Sequence, residues 1–203
     1  GVLNARLLGP EGVGVFALLR LLQQLGIRIT DFGFGRALRY FSANGEIHYR
    51  DLKNIVFTLG VIVGIATTFI SLILKVLPIR VWDDIDFSVY ILFMPAIFFY
   101  VLTIYMRHLL HGQLLITSVN ISEILERLLY ILLFIILVWY LDLGLVGVSL
   151  SLSITAIFNF FQLFIRSILY KATKDIVSET ISKKEQFKKL WGYGKWSYFY
   201  SFT

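Results

Sequence analysis

The stretch 17–33, ALLRLLQQLGIRITDFG, has the apolar density of a membrane-crossing helix, yet it carries Arg20, Gln23, Gln24, Arg28 and Asp31. Its Leu and Ile recur at helical spacing, without the alternation of a strand. On a helix of about 3.6 residues per turn, Gln24, Arg28 and Asp31 all fall within about 80° of Arg20, so one face carries four polar groups. Gln23 lies about 60° to the other side, and the opposite face is Leu and Ile. A charged side chain at the centre of a bilayer costs at least ~2.5–3.5 kcal/mol on insertion scales. Arg20, near the middle of the span, is therefore expected to face a wet cavity or an anionic partner rather than lipid. Arg28 and Asp31 lie near one end, where long side chains reach the interface.

The rest of the chain agrees on the environment. It is 203 residues long, 58% hydrophobic and 16% charged, against about 45–50% and about 25% in soluble domains; its mean hydropathy is +0.77. A bilayer core takes about 20 apolar residues per helix. Five segments meet that length, at about 12–32, 54–77, 87–106, 124–141 and 143–169. The expected fold class is all-α, a polytopic membrane helix bundle. Residues 1–170 read as one transmembrane lobe, 171–189 as a basic cytoplasmic linker, and 190–203 as the start of the next helix. The runs are too long for barrel strands. With no initiator Met and no signal-peptide pattern, the chain reads as an internal piece of a longer protein. Cysteine is absent, which excludes disulfide and thiolate chemistry.

Orientation follows from Lys and Arg. Of the 19, Arg20 and Arg28 lie in the first span, and Arg6, Lys75 and Arg80 fall on one side. All the others, from Arg36 to Lys195, fall on the opposite side, which is therefore cytoplasmic. Asp83, Asp84 and Asp86 sit in an outer loop, and LDLG, 141–144, forms a tight outer turn. The net charge of +6 is this topology signal and requires no nucleic acid; anionic headgroups favour it.

Asn159, Gln162 and Arg166 form a second, weaker polar stripe, within about 60° on the fifth span. Such residues glue helices together and would give the cavity a further polar wall. A competing reading of Arg20 pairs it with a carboxylate on a neighbouring helix, as a packing device. No complete span carries a mid-membrane Asp or Glu, so that partner is expected outside these residues. Gly60 and Gly64 have the GxxxG spacing of close helix packing. Gly33 and Gly35 let the first span break and turn as GRALRYFSA. DFG at 31–33 stands without the other elements of a kinase site. His108 and His111, at a helix end without clustered carboxylates, suit an interface better than a metal. Catalytic, metal-binding and cofactor-binding residues are none.

Two stretches resemble a known family. Leu8, Gly9, Pro10, Glu11 and Gly14, followed by Asp31, Gly33 and Ala37, resemble the LGP-E-x-G turn and D-x-G-x-x-x-A segment of polysaccharide transporters. The run 143–164, LGLVGVSLSLSITAIFNFFQLF, with Gly144 and Gly147 at its opening, looks like that family's sixth helix. The family is the multidrug/oligosaccharidyl-lipid/polysaccharide exporter superfamily, in its Wzx-type lipid-linked oligosaccharide flippase branch. The resemblance implies a MATE-like transporter with two pseudo-symmetric lobes around a central cavity. This chain would supply the second to sixth helices, the link between lobes, and the start of the seventh. It implies movement of an undecaprenyl-diphosphate-linked oligosaccharide across the inner (cytoplasmic) membrane, for O-antigen or another surface polysaccharide. Arg20 and Arg28 would attract the diphosphate or acidic sugars, because guanidinium donors suit phosphate geometry. Gln24 and Asp31 would meet sugar hydroxyls or, for Asp31, a coupling cation; no residue distinguishes Na⁺ from H⁺. The remaining partners are membrane lipids. Two alternatives stand: a drug/cation antiporter of the same superfamily, which would want membrane carboxylates, and a membrane-embedded polymerase or ligase, which would want a large outer loop.

The topology is directly testable, because the chain has no native Cys. Single cysteines at positions 44, 84 and 183 should react with an impermeant reagent in intact cells only at 84. Labelling at 183 and protection at 84 would reverse the assignment.

Overall fold

The computed structural model describes residues 2–30, 33–76, 85–170 and 183–199. Among them the regular structure is helical, without strands, and the chain is an all-α membrane helix bundle. Helix α1 is Val2–Thr30, with a kink at Gly9, whose φ of 68° and ψ of 176° leave the helix. Two local rules meet there. Pro10 disfavours helical backbone in the residue before it, and glycine accepts positive φ without a Cβ penalty. The second break is the one expected near Gly33. Asp31 and Phe32 lie outside the described residues, and Gly33 takes φ 78° as α2, Phe34–Asn44, begins. Helix α2 is amphipathic: Phe34, Ala37, Leu38 and Phe41 are buried, and Arg36, Arg39 and Tyr40 are exposed.

Then follow α3, Tyr49–Val76, α4, Phe87–Gly112, and α5, Ile116–Phe134. The last widens into a π-helical turn, Ile135–Tyr140. A three-residue connection with Asp142 at φ 51° reverses the chain into α6, Gly144–Leu169, giving the tight turn read at LDLG. Helix α7 is Lys183–Phe199. Of the segment read as a linker, 171–182 lies outside the described residues, and 183–189 forms the first turns of α7. That helix lies on α2, with Tyr193 stacked on Tyr40 at 4.6 Å and Trp191 at 5.6 Å from Phe34.

Helix α4 is the spine, and small residues bring its neighbours close. A Cβ on Gly60 of α3 would stand 2.8 Å from the Leu102 Cδ2, and one on Gly64 2.9 Å from the Phe98 ring, so the GxxxG pair is a packing seam. Helix α6 packs along α4, and its small polar side chains are buried on more than one face. Ser149, Ser151, Ser153 and Thr155 are all buried, and Ser153 donates to the Leu92 carbonyl. On the helix the V-S-L-S-L-S-I-T alternation divides between faces: Ser153 bonds across to α4, whereas Ser151 and Thr155 donate back to carbonyls of their own helix. At the far end α2 is bolted to α4: Ser42 donates to the Leu109 carbonyl at 2.8 Å and Gln113 to the Ser42 carbonyl at 2.6 Å. Two apolar cores result. One gathers α2, α3, α4 and α6 around Leu38, Leu52, Tyr105 and Leu163, and the other gathers α1, α4, α5 and α6 around Leu19, Phe93, Ile97 and Val148.

Among the described residues, α3, α4 and α6 are long and apolar enough to cross a membrane. Their outward faces carry Ile62, Ile65, Phe69, Ile91, Phe158 and Ile165, as a hydrocarbon solvent demands. Helices α1 and α5, also read as spans from sequence, fall outside that set and carry charges along their length, Arg20 on one and Glu123, Glu126 and Arg127 on the other.

The two kinds of close approach differ in cost. A Cβ on Gly112 would stand 2.7 Å from the Arg39 backbone oxygen and 2.5 Å from Ser42 Cβ, neither of which moves freely. Gly112→Ala should therefore destabilise by about 1–3 kcal/mol, as overpacking does, whereas Gly60→Ala, which meets a mobile Leu methyl, should cost less than about 1.5 kcal/mol. Thermal unfolding in detergent would measure both, and equal midpoints would refute the distinction.

Candidate functional site

The polar side chains inside the bundle converge. Arg20 and Gln23 from α1, Tyr100 and Arg107 from α4, Glu123, Glu126, Arg127 and Tyr130 from α5, and Thr155 from α6 line a cavity of about 390 Å³. Helical spacing explains each contribution. On α5 the residues 123, 126, 127 and 130 follow the i, i+3, i+4, i+7 rule and share one face. On α1 the pair Arg20 and Gln23 is i, i+3.

The strongest interactions centre on Arg107. Its two terminal nitrogens hold Glu123 Oε1 at 3.0 Å and Glu126 Oε2 at 2.9 Å. Asn159 on α6, only 1% exposed, donates its Nδ2 to the same Oε2 of Glu126. One carboxylate thus ties together α4, α5 and α6. A second tie follows about two turns away, where Arg166 donates to the Ser118 carbonyl. Helix α5 needs them, because it buries only Val119, Ser122 and Phe134 along Ile116–Phe134.

Arg20 is held differently. Its guanidinium carbon lies 5.5 Å from the Phe16 ring centre and 5.9 Å from that of Tyr130. Such cation–π contacts are each worth about 0.5–2 kcal/mol. Among the described residues Arg20 makes no ion pair; the two carboxylates nearby are both taken by Arg107. A half-buried, aromatic-flanked guanidinium in a polar cavity has donors to offer an anion or hydroxyl groups.

The structure redistributes the sequence-derived candidates. Arg20 lines the cavity, but Gln24 and Arg28 are exposed outside it, and Asp31 lies outside the described residues. The buried neighbour is Gln23, 5% exposed, because the bundle turns the i, i+3 edge of α1 inward rather than the i, i+4 edge. Asn159 and Arg166 act as glue between α6 and α5, and Gln162 is partly buried beside them. The expectation that any carboxylate near Arg20 lies outside these residues is corrected: Glu123 and Glu126 line the same cavity. The apolar run begins at Ile124, but the helix begins at Ile116, which places both carboxylates well inside it. The spacing 123, 126, 127, 130 would have revealed this face, and Arg107 reads from sequence as one more basic residue at a helix end.

The family described as polysaccharide biosynthesis protein matches residues 2–202. No curated protein and no solved structure matches the chain.

Removing one member of the clamp strands the others. Arg107→Ala leaves two partly buried carboxylates facing each other, and breaking a buried pair costs up to about 3–5 kcal/mol, less where solvent reaches it. The double variant Arg107→Ala/Glu126→Ala should recover part of that loss, with a coupling of about 0.5–3 kcal/mol. Strict additivity in thermal unfolding would show that the clamp contributes nothing.

Proposed function

The chain belongs to the polysaccharide biosynthesis protein family, and we propose that its task there is transport: a flippase that moves a lipid-linked oligosaccharide precursor from one leaflet of the membrane to the other. The observation that carries this reading is Arg20, a guanidinium inside a membrane bundle that lines a polar cavity and makes no ion pair among the described residues. The linkage between a polyprenyl lipid and its sugar is a diphosphate, and a guanidinium fork suits phosphate oxygens. Gln23, Tyr100 and Tyr130 add groups suited to sugar hydroxyls. In this reading the chain is the N-terminal lobe of a two-lobe, MATE-like transporter of the Wzx type, in the cell inner membrane, and α1 and α5 are spans that turn their charges inward. Arg28, at the end of α1, meets headgroups or the incoming anion.

The carboxylates of the cavity do not turn the reading towards a drug/cation antiporter, because Arg107 engages both. A catalytic role is not part of the proposal: among the described cavity residues no nucleophile stands beside a base.

Arg20→Ala in the intact protein should abolish surface polysaccharide while protein abundance stays near normal. Arg20→Lys should restore part of the export, since the charge survives and the planar fork is lost, and Arg28→Ala should be milder. The measurement is export per folded transporter. Full export by Arg20→Ala, or a parallel fall of export and folded protein, would assign Arg20 to packing.

A further inference from the structure

The cavity has two electrostatically different walls. The α1 wall carries Arg20, which makes no ion pair among the described residues. The α5 wall carries Glu123 and Glu126, with Arg107 of α4 held between them. Within this clamp two carboxylates share one guanidinium, which leaves one excess negative charge at Glu123 and Glu126. Glu126 cannot readily withdraw, because Arg107 from α4 and Asn159 from α6 grip the same oxygen. Arg127 lines the cavity from the same helix with an exposed side chain, so the negative charge is local to the clamp, whose Glu123 and Glu126 side chains are 34% and 25% exposed.

Hydrogen-bond capacity points the same way. Only Glu123 Oε1 and Glu126 Oε2 are engaged; among the described residues Glu123 Oε2 and Glu126 Oε1 accept no hydrogen bond. An ionised carboxylate accepts and never donates. It therefore welcomes hydroxyl or amide N–H groups, and it both repels and fails to bond another carboxylate. Specificity of this kind comes from a repulsive element as much as from an attractive one.

Resting on the reading of Arg20 as the anion site, we infer that the cavity takes a neutral sugar beside the diphosphate, and that Glu123 and Glu126 are the residues that reject an acidic one. The anion lies toward α1, and the hydroxyls of the adjoining sugar lie toward α5.

Two soluble probes test this, uridine diphosphate glucose and uridine diphosphate glucuronic acid, which differ only in a hydroxymethyl against a carboxylate. Titrated into the purified intact protein, the glucose compound should bind about tenfold or more tightly than the glucuronate, as juxtaposed like charges require. Glu126→Gln and Glu123→Gln keep the side-chain size, remove the charge, and should each narrow the gap. Where Glu126→Gln yields aggregated protein, Glu123→Gln carries the test, since its carboxylate is held by one partner only. Arg20→Ala should weaken both probes alike. Equal affinities in the unmodified protein, a preference for glucuronate, or a gap unchanged by the Gln variants would overturn the selection and leave the anion site standing. Binding of neither probe, or binding indifferent to Arg20→Ala, would overturn the anion site itself.

Discussion

A charge inside an apolar bundle must be compensated, and Glu126 is compensated twice, by Arg107 from α4 and by Asn159 from α6. Much else depends on that double pairing. Helix α5 turns Ile121, Ile124, Leu128 and Leu132 outward, so apolar burial alone holds it weakly, and ties made of charge and hydrogen bonds do the rest. In water such ties would be worth little; away from water their loss is costly, because each partner is stranded. The same ties keep the carboxylates on one wall of the cavity, and Arg20 and Arg127 line it without an ion pair among the described residues.

The cavity could not sit where it does without the close packing around α4. Gly60 and Gly64 let α3 approach the spine, Ser153 bonds α6 to it, and α2 is fastened across its end through Ser42 and Gln113. Lipid supplies no hydrophobic drive between helices, so this contact depends on van der Waals fit and hydrogen bonds. The outcome is a tight region made of small residues and a looser one, bounded by α1 and α5, where long polar side chains meet.

The polar groups divide accordingly between holding and offering. Arg107, Asn159 and Arg166 are engaged by partners within the bundle, and Gln23 donates to the Ala96 carbonyl of α4, whereas Arg20, Tyr100 and the outer oxygens of Glu123 and Glu126 face the cavity. A guanidinium opposite a carboxylate wall is suited to a ligand with an anion at one end and hydroxyls at the other. It is poorly suited to a ligand that is anionic throughout.

Composition and the apolar runs were enough by themselves for a membrane helix bundle, because a hydrocarbon solvent leaves a backbone few alternatives to the helix. Positions of breaks were equally legible: Gly33 for the end of α1, the LDLG turn between α5 and α6, and the Gly60 and Gly64 seam all rest on local chemistry. The need for Arg20 to face something polar also followed from depth alone. What that something is did not, since a helical wheel supplies relative angles and never an absolute direction. Packing chose the Gln23 edge of α1 over the Gln24 and Arg28 edge, and set Arg107 between two carboxylates 16 and 19 residues further on. Pairing of charges across helices is a property of how α4, α5 and α6 approach one another, which the sequence of no single helix displays.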